Sequence, residues 1–354
     1  MRDGSRRQVS EPGTARYGGV LIQDVDGTLN VPGEKGVIHR DVIKEDARYV
    51  SGGGTLIIST NRPQDWVEEK LVQPIASRMR SQQADWKARS LESLMLMPEQ
   101  GSVLLTLESL TESDDSLRFS WKEEYSTELP ERGAIEAMLS SSLLPKFPGS
   151  RLRPGTRRIV SVERFPVRGD SEKAEKYLEN IKASGNYPGV PWDSLRFFST
   201  QSTLTFVNAA AGKEEAVRKA IELFPGKFMS GPCFGFGNDG DSFASVVPTF
   251  NVGERGAFAG RGLPELIWGE ARILKEGEYA SEKEGTPAEE VLLAEGGAVD
   301  VLRLKDGSVL RTSPLGGHPI QLLPPRRGRR RKAGRATAAI MAWLMDAGFL
   351  SGEA

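Results

Sequence analysis

The chain has 354 residues, and its 47 basic and 48 acidic side chains nearly cancel, giving a formal net charge of −1. This balance excludes a partner attracted by overall charge, and the single cysteine, Cys233, excludes an internal disulfide. Only two histidines are present, His39 and His318, so we expect carboxylate chemistry rather than a histidine zinc site. Residues 1–16 are polar, without the apolar core of a secretory signal, and no run reaches the roughly 18 apolar residues of a membrane helix. We therefore expect a soluble, cytoplasmic protein.

The first part of the chain alternates predicted strands with predicted helices. Residues 17–23 and 55–59 have the apolar runs of buried strands. Residues 40–50 have helical spacing and end at three glycines, and Pro63 favours a helix over 64–80. Strand, helix, strand, helix in this order indicates a parallel α/β sheet.

The pattern changes after the second helix. Residues 94–107 predict two strands around a turn. In residues 157–165 apolar and polar side chains alternate, which predicts a further strand. A helix over 171–184 and one or two strands over 195–208 complete an α+β segment, roughly 100–205.

The last part of the chain begins with a return to the core pattern. A helix over 213–224 and a strand over 246–252 are predicted there. Glutamate-rich residues 276–290 indicate a solvated linker or helix. A hairpin over 298–312 and a short helix over 336–350 follow.

The strongest chemical signal lies where the first strand ends. Asp24 and Asp26 follow the apolar run, and Gly27 and Thr28 come next. Carboxylates at the end of a parallel strand face the crevice in which open α/β folds bind ligands. Two acids this close repel each other, so they require a cation or a shared proton, and hard oxygen ligands suit Mg²⁺. Taken alone, the same residues also fit an ordinary turn.

Four motifs together resemble those of the haloacid dehalogenase (HAD) superfamily of phosphohydrolases. Residues 24–28 resemble the first signature, the strand end 57–60 resembles the second, and Lys213 at a helix start resembles the third. Residues 236–241, with the sequence FGNDGD, resemble the acidic fourth signature. The four occur in the family's order over roughly residues 17–260.

The position of the α+β segment, between the second and third motifs, resembles HAD proteins with a C2-type cap. Residues 99–103 are similar to the start of that cap in subfamily IIB, and residues 205–207 are similar to its exit. The resemblance implies an α/β fold: a Rossmann-like parallel-sheet core with an inserted α+β cap and a C-terminal extension. The implied boundaries are a disordered tail over 1–16, a core over 17–99 and 206–265, a cap over 100–205 and an extension over 266–354.

The resemblance also implies a Mg²⁺-dependent phosphomonoester hydrolase. Asp24 would attack phosphorus and become an aspartyl-phosphate, and Asp26 would act as general acid and base. Thr60 would hydrogen-bond a phosphoryl oxygen, while Lys213 would offset its charge. The residues implied for substrate binding are Gly27, Asn61 and Arg62, and those implied for the metal are Asp24, Asp26, Asp239 and Asp241.

The fourth motif departs from the family pattern, Gly-Asp-x-x-Asn-Asp. After Gly237 come Asn238, Asp239, Gly240, Asp241 and Ser242. Either Asn238 replaces the first acid or the loop is one residue shorter. Which of the two aspartates reaches the metal stays open, and a chain in which neither does so would be inactive.

The expected substrate is a sugar phosphate or a similar small metabolite. Two alternatives remain: a phosphomannomutase-like phosphosugar mutase, and a catalytically weak HAD-fold binding or regulatory protein whose basic tail touches nucleic acid. The arginines of the cap either contact an anionic substrate or form a solvated face, and they are Arg151, Arg153, Arg157 and Arg158. Seven of the ten residues 326–335 are basic with no aromatics between them, which favours a solvated linker over a nucleic-acid site. The sequence does not indicate an oligomeric state.

Overall fold

A computed structural model describes residues 17–30, 36–82, 88–113, 116–167, 169–200, 203–237, 243, 246–247, 249–251, 265–266, 272–273, 290–293, 299–303, 309–311, 319–322, 333–346 and 350. In chain order the strands are β1 Val20–Asp24, β2 Thr55–Ser59, β3 Leu94–Met97, β4 Val103–Ser113, β5 Ser116–Ser126, β6 Arg151–Leu152, β7 Val160–Glu163, β8 Leu195–Ser199, β9 Thr203–Asn208, β10 Cys233–Gly237, β11 Thr249–Asn251, β12 Glu265–Leu266, β13 Arg272–Ile273, β14 Glu290–Leu293, β15 Val299–Arg303, β16 Val309–Arg311 and β17 Pro319–Leu322. The α-helices are α1 Arg40–Ser51, α2 Gln64–Val67, α3 Gln73–Gln82, α4 Arg132–Met138, α5 Asp170–Ala183, α6 Lys213–Leu223, α7 Pro225–Met229 and α8 Ala333–Asp346.

The described residues form three sheets, of which the largest has nine strands in the order β12-β17-β11-β10-β1-β2-β3-β4-β5. Every neighbouring pair from β12 to β3 is parallel, and β4 and β5 add an antiparallel hairpin at one edge. This arrangement confirms the predicted α/β class with a Rossmann-like parallel core. The central strands are buried on both faces, as their continuous apolar runs predict.

Helices cover both faces of the parallel strands. Leu21 faces a cluster that includes apolar residues of α1, α3 and α8. Its neighbours Val20 and Ile22 face the opposite cluster, to which α6 and α7 contribute. Because side chains alternate along a strand, one apolar run supplies both layers of the core.

A second sheet, in the order β6-β7-β9-β8, is antiparallel throughout. Apolar residues of α4 and α5 pack against β7 and β9 in a cluster of their own. These elements have the α+β character predicted for the middle of the chain. The hairpin of β4 and β5 instead continues the core sheet, and the division into domains stays a prediction.

The helix predicted over 64–80 forms with an interruption. The segment Glu68–Val72, between α2 and α3, is a π-helix in which the N–H of Gln73 donates to the carbonyl of Glu68. Pro74 follows, and proline has no N–H to donate and its ring clashes with the carbonyl four residues earlier. The wider π turn accommodates that proline without ending the helix.

Several predictions fall on other parts of the chain. The tail over 1–16 lies outside the described residues, as do residues 276–289 of the predicted linker, 238–241 of the fourth motif and 326–332 of the basic segment. Among the helices that the structure describes, none is long and apolar enough to cross a membrane.

Candidate active site

Asp24 is the last residue of β1 and lies beside Ser59, the last residue of β2. The next strand on the other side, β10, pairs Phe236 with Gln23, which brings Gly237 alongside Asp24. Three parallel strands therefore end together at this edge of the sheet. The Asp24 side chain is buried there, with 5% of the residue exposed.

Lys213 faces Asp24. Its Nζ lies 2.6 Å from Oδ1 of Asp24, and both residues are 5% exposed. Lys213 is the first residue of α6, whose start is positioned by close backbone packing. A side chain at Gly101, which has φ of 74°, would come within 2.7 Å of the Gly212 carbonyl oxygen, so only glycine fits there.

The other oxygen of Asp24 is held by the turn that follows it. The hydroxyl of Thr28 donates to Oδ2 at 3.1 Å. The turn closes through hydrogen bonds from the N–H groups of Thr28 and Leu29 to the carbonyl of Val25, and Gly27 adopts the left-handed φ of 84° that this turn requires. A cation on one oxygen and a hydroxyl on the other fix the orientation of the carboxylate.

Asp26 lies in the same turn and is paired with Arg62. The guanidinium donates from Nε at 2.9 Å and from Nη2 at 2.7 Å to the two carboxylate oxygens, a bidentate geometry. The Arg62 guanidinium also lies 5.0 Å from the ring centre of Trp66. Burial alone would lower the pKa of Arg62, but the hydrogen bonds and charge of Asp26, with the charges of Glu163 and Asp24, leave that pKa raised.

Thr60 and Asn61 follow β2 at the same sheet edge. Thr60 is fully buried, its N–H donates to the Met97 carbonyl, and its hydroxyl accepts from the N–H of Arg62 at 3.2 Å. The carbonyl of Asn61 accepts from Nη1 of Arg153 at 3.3 Å. The sequence-predicted residues of the first three motifs thus lie on one edge, while Asp239 and Asp241 lie outside the described residues.

Arg153 brings the second sheet to this edge. Its side chain is only 11% exposed, and its Nε lies 3.2 Å from Oε2 of Glu163. Burial by itself raises the pKa of Glu163, but hydrogen bonds from Arg151 and Arg153 leave it lowered. Of the four arginines predicted to lie in a cap, Arg151 and Arg157 are exposed, Arg158 is partly buried and pairs with Glu123, and Arg153 donates to the Asn61 carbonyl.

A buried carboxylate that the sequence did not single out joins the same two regions. Oε2 of Glu99 accepts from the backbone N–H groups of Arg157 at 2.8 Å and Arg158 at 2.6 Å. Glu99 is 3% exposed and, like the next residue, Gln100, has a positive φ. The available sequence signal at Glu99 was the resemblance of residues 99–103 to the start of the family's cap. That resemblance did not indicate that the Glu99 carboxylate accepts backbone N–H groups from the second region.

The donors at this edge suit a hard cation. The described residues contain no group of three or more carboxylate, histidine or cysteine side chains able to hold a metal. The buried carboxylate of Asp24 and the backbone carbonyl of Asp26 are oxygen donors of the kind that Mg²⁺ prefers. Gly237 ends β10 next to Asp24, and the acidic residues 238–242 that follow it in the sequence lie outside the described residues. These two oxygen donors fit Mg²⁺.

Comparisons with known proteins give neighbours in structure alone: no family model and no curated protein matches the chain. A solved structure of N-terminally truncated IMP-nucleotidase from Plasmodium falciparum is 12% identical, with a TM-score of 0.43, over 64% of this chain and 62% of that one. An HAD subclass IIB sugar phosphatase is 13% identical, with a TM-score of 0.41, over 66% of this chain and 87% of that one.

The sugar phosphatase is a member of the HAD superfamily, which the sequence motifs resemble. The chain spans about three fifths of the length of the first structures it matches. Similarity at this level assigns neither a fold nor an activity. Both therefore rest on the strand topology and on the contacts around Asp24.

Proposed function

We propose that the chain is a phosphomonoester hydrolase whose nucleophile is Asp24. The observation that carries the proposal is the buried pair of Asp24 and Lys213, 2.6 Å apart at the edge where the parallel strands end. An amine in this position offsets the charge of the carboxylate and of an incoming phosphoryl group. Asp26 lies in the same turn, close enough to Arg62 for a bidentate pair, and provides the second carboxyl group that the reaction needs.

In the first proposed step a carboxylate oxygen of Asp24 attacks phosphorus and the bond from phosphorus to the ester oxygen breaks. The departing oxygen takes the electron pair and a proton from Asp26, which leaves an aspartyl-phosphate and a free alcohol. Water then attacks the phosphorus and gives a proton to Asp26, while the bond from phosphorus to the Asp24 oxygen breaks and its electron pair returns to the Asp24 carboxylate. This second step releases phosphate and restores both carboxyl groups.

We further propose that the reaction depends on Mg²⁺. Asp24 and the backbone carbonyl of Asp26 would hold the ion, together with Asp239 or Asp241. When bound, the ion would supply electrostatic stabilisation of the transferring phosphoryl group. Lys213 and Arg62 contribute further positive charge from the protein.

The proposed substrate is a small phosphate ester, and a sugar phosphate in particular. Arg153 donates to the Asn61 carbonyl next to the strand-end site and also pairs with Glu163 of the second sheet. Their guanidinium and carboxylate groups donate to and accept from hydroxyls, which a sugar offers in number. A purely apolar leaving group would offer these polar groups no hydrogen-bond partner.

The test is release of phosphate from an aryl phosphate and from a panel of sugar phosphates, with Mg²⁺ or with a chelator. We expect Asp24→Asn to lower the rate by about a thousandfold or more. Asp193→Asn, which changes an exposed aspartate, is the matched control and leaves the rate unchanged. Equal background rates for the native chain and Asp24→Asn would contradict the proposal.

The reaction products distinguish hydrolysis of a sugar phosphate from migration of its phosphoryl group. A hydrolase releases inorganic phosphate from a sugar phosphate, whereas a mutase returns a positional isomer of the same ester. We expect free phosphate. Mass spectrometry of the chain quenched during turnover should locate a phosphoryl group on Asp24.

A further inference from the structure

The C-terminal helix α8 packs behind the turn that carries Asp24 and Asp26. This helix belongs to the extension, which the resemblance to the HAD family leaves without a role. Its residues Ala338, Met341 and Leu344 are buried in the same cluster as Leu21 and Leu29. Helix α8 is therefore part of the layer that supports the sheet edge with the site.

Two hydrogen bonds in series connect α8 to the carboxylate of Asp24. The hydroxyl of Thr337 donates to the backbone carbonyl of Thr28 at 2.8 Å. The hydroxyl of Thr28 in turn donates to Oδ2 of Asp24 at 3.1 Å. Both threonines are fully buried, so water does not replace either bond.

The backbone of α8 approaches the same turn very closely. A Cβ at Gly334 would lie 2.4 Å from the carbonyl oxygen of Leu29 and 2.7 Å from Cβ of His39. That Leu29 carbonyl accepts the N–H of His39 at 2.9 Å, which ties the turn to the start of α1. The backbone of α8 at Gly334 thus packs directly against the end of the turn and leaves no space for a side chain at that position.

We propose that Thr337 is a positioning residue for the hydrolysis described above, and that α8 sets the orientation of the Asp24 carboxylate through Thr28. The inference rests on the proposed function, because the orientation matters only if Asp24 attacks phosphorus. Misplacing a reacting group by about 1 Å is enough to lower a rate by about a hundredfold. A buried carbonyl that loses its donor turns toward another partner, and the Thr28 hydroxyl moves with it.

The test compares three variants with the native chain. Thr337→Val keeps the shape and removes the hydroxyl, whereas Thr337→Ser keeps the hydroxyl. We expect Thr337→Val to lower kcat about tenfold, with KM within about twofold, and Thr337→Ser to keep most of the activity. Asp346→Asn loosens the far end of α8, where Asp346 pairs with Arg48 at 2.6 Å, and we expect it to leave kcat unchanged.

A second measurement does not depend on activity. Amide hydrogen exchange of residues 25–29 should speed up in Thr337→Val and not in Asp346→Asn. Native-like kcat and exchange in Thr337→Val would overturn the positioning role while leaving the proposed function intact. Equal loss of kcat in Thr337→Val and Thr337→Ser would also overturn it, because the hydroxyl would then not be the cause.

Comparing the rate of the native chain with that of Asp24→Asn separates the proposed function from the positioning role of Thr337. If these two rates are equal, the proposed function and the positioning role both fail. If the native rate exceeds that of Asp24→Asn, the Thr337 variants decide the positioning role alone.

Discussion

Two buried aspartates lie in neighbouring regions of the molecule, and their surroundings differ. Asp24, at the sheet edge, receives the amine of Lys213 on one oxygen and the hydroxyl of Thr28 on the other. Asp46, on the face of α1 toward α8, receives the side-chain amide of Gln23 on Oδ1 at 2.8 Å. Among the described residues, Oδ2 of Asp46 has no hydrogen-bond partner.

As a consequence, Asp46 holds its proton to a higher pH than an ordinary aspartate does. Burial raises the pKa of Asp46 to about 7, against a lowering by the Gln23 amide, and the nearby charge of Glu45 raises it further. A buried carboxyl without a facing cation is thus neutral in mild acid. Burial alone does not mark a nucleophile, and the facing amine distinguishes Asp24 from Asp46.

Removing the amine should have the largest effect. We expect Lys213→Met to lower the free energy of unfolding by about 3–5 kcal/mol, because it leaves the Asp24 charge buried and uncompensated. Phosphate release should fall by about a hundredfold to a thousandfold. Urea unfolding and a phosphate assay measure the two effects.

The double variant makes that prediction sharper. Asp24→Asn combined with Lys213→Met should recover stability relative to Lys213→Met alone, since a neutral amide needs no cation. Lys219→Met removes a partly exposed amine of the same helix that pairs with Glu222, so it should have little effect on stability and leave activity unchanged. A double variant no more stable than Lys213→Met would show that lost packing, rather than charge, explains the effect.

Asp46 should make the chain less stable as the pH rises. Its pKa is higher in the folded state than the 3.8 of an ordinary aspartate, so its contribution is fully present below about pH 4 and is lost as the pH rises through about 7. The loss is roughly 4 kcal/mol at most. Asp46→Asn should remove this part of the pH dependence and be the more stable chain at pH 8.

Urea unfolding at a series of pH values measures the difference between the native chain and Asp46→Asn. Asp41→Asn, with a partly exposed side chain on the same helix, is the control and should follow the native curve. Glu45→Gln should move the native transition to lower pH, because Glu45 raises the pKa of Asp46. Parallel curves for the native chain and Asp46→Asn would contradict the assignment.

The sequence predicted the elements whose signals are local. The apolar runs of β1 and β2 and the glycines after α1 mark those elements, and the strand end at Asp24 follows from the same run. The approach of Lys213 to Asp24 crosses 189 residues of chain and was predicted only through resemblance to a family. Periodicity alone gives no distance between residues so far apart.

Contacts without a local pattern were not predicted. Thr337 is 309 residues from Thr28, and a threonine in a helix has no feature that marks it as a donor to a distant carbonyl. Arg153 and Arg151 are alike in sequence, and their different burial depends on how the second sheet lies against the core. Such contacts are set by packing, which strand and helix signals do not describe.

Asp26 differs from the buried aspartates Asp24 and Asp46. It has a cation partner, Arg62, but it is only partly buried. We expect Arg62→Met to raise KM for an aryl phosphate about tenfold, because the proposed site loses a positive charge that would attract the phosphate. Arg62→Lys keeps the charge without the bidentate geometry and should fall between the two. Steady-state kinetics measure this, and an unchanged KM in Arg62→Met would place the substrate phosphate elsewhere.

At the outer edge of the α1–α8 interface the carboxylate of Asp346 has a cation partner but little burial. It pairs with Arg48 at 2.6 Å, with the Arg48 and Asp346 side chains 39% and 62% exposed. Water and salt screen such a pair, so Asp346→Asn should lower the free energy of unfolding by less than about 1 kcal/mol. The effect should shrink further in high salt, whereas the effect of Lys213→Met should persist because its charges are buried. Urea unfolding at low and high salt compares them, and a salt-resistant loss in Asp346→Asn would mean that this pair, rather than the buried apolar residues of α8, holds the helix in place.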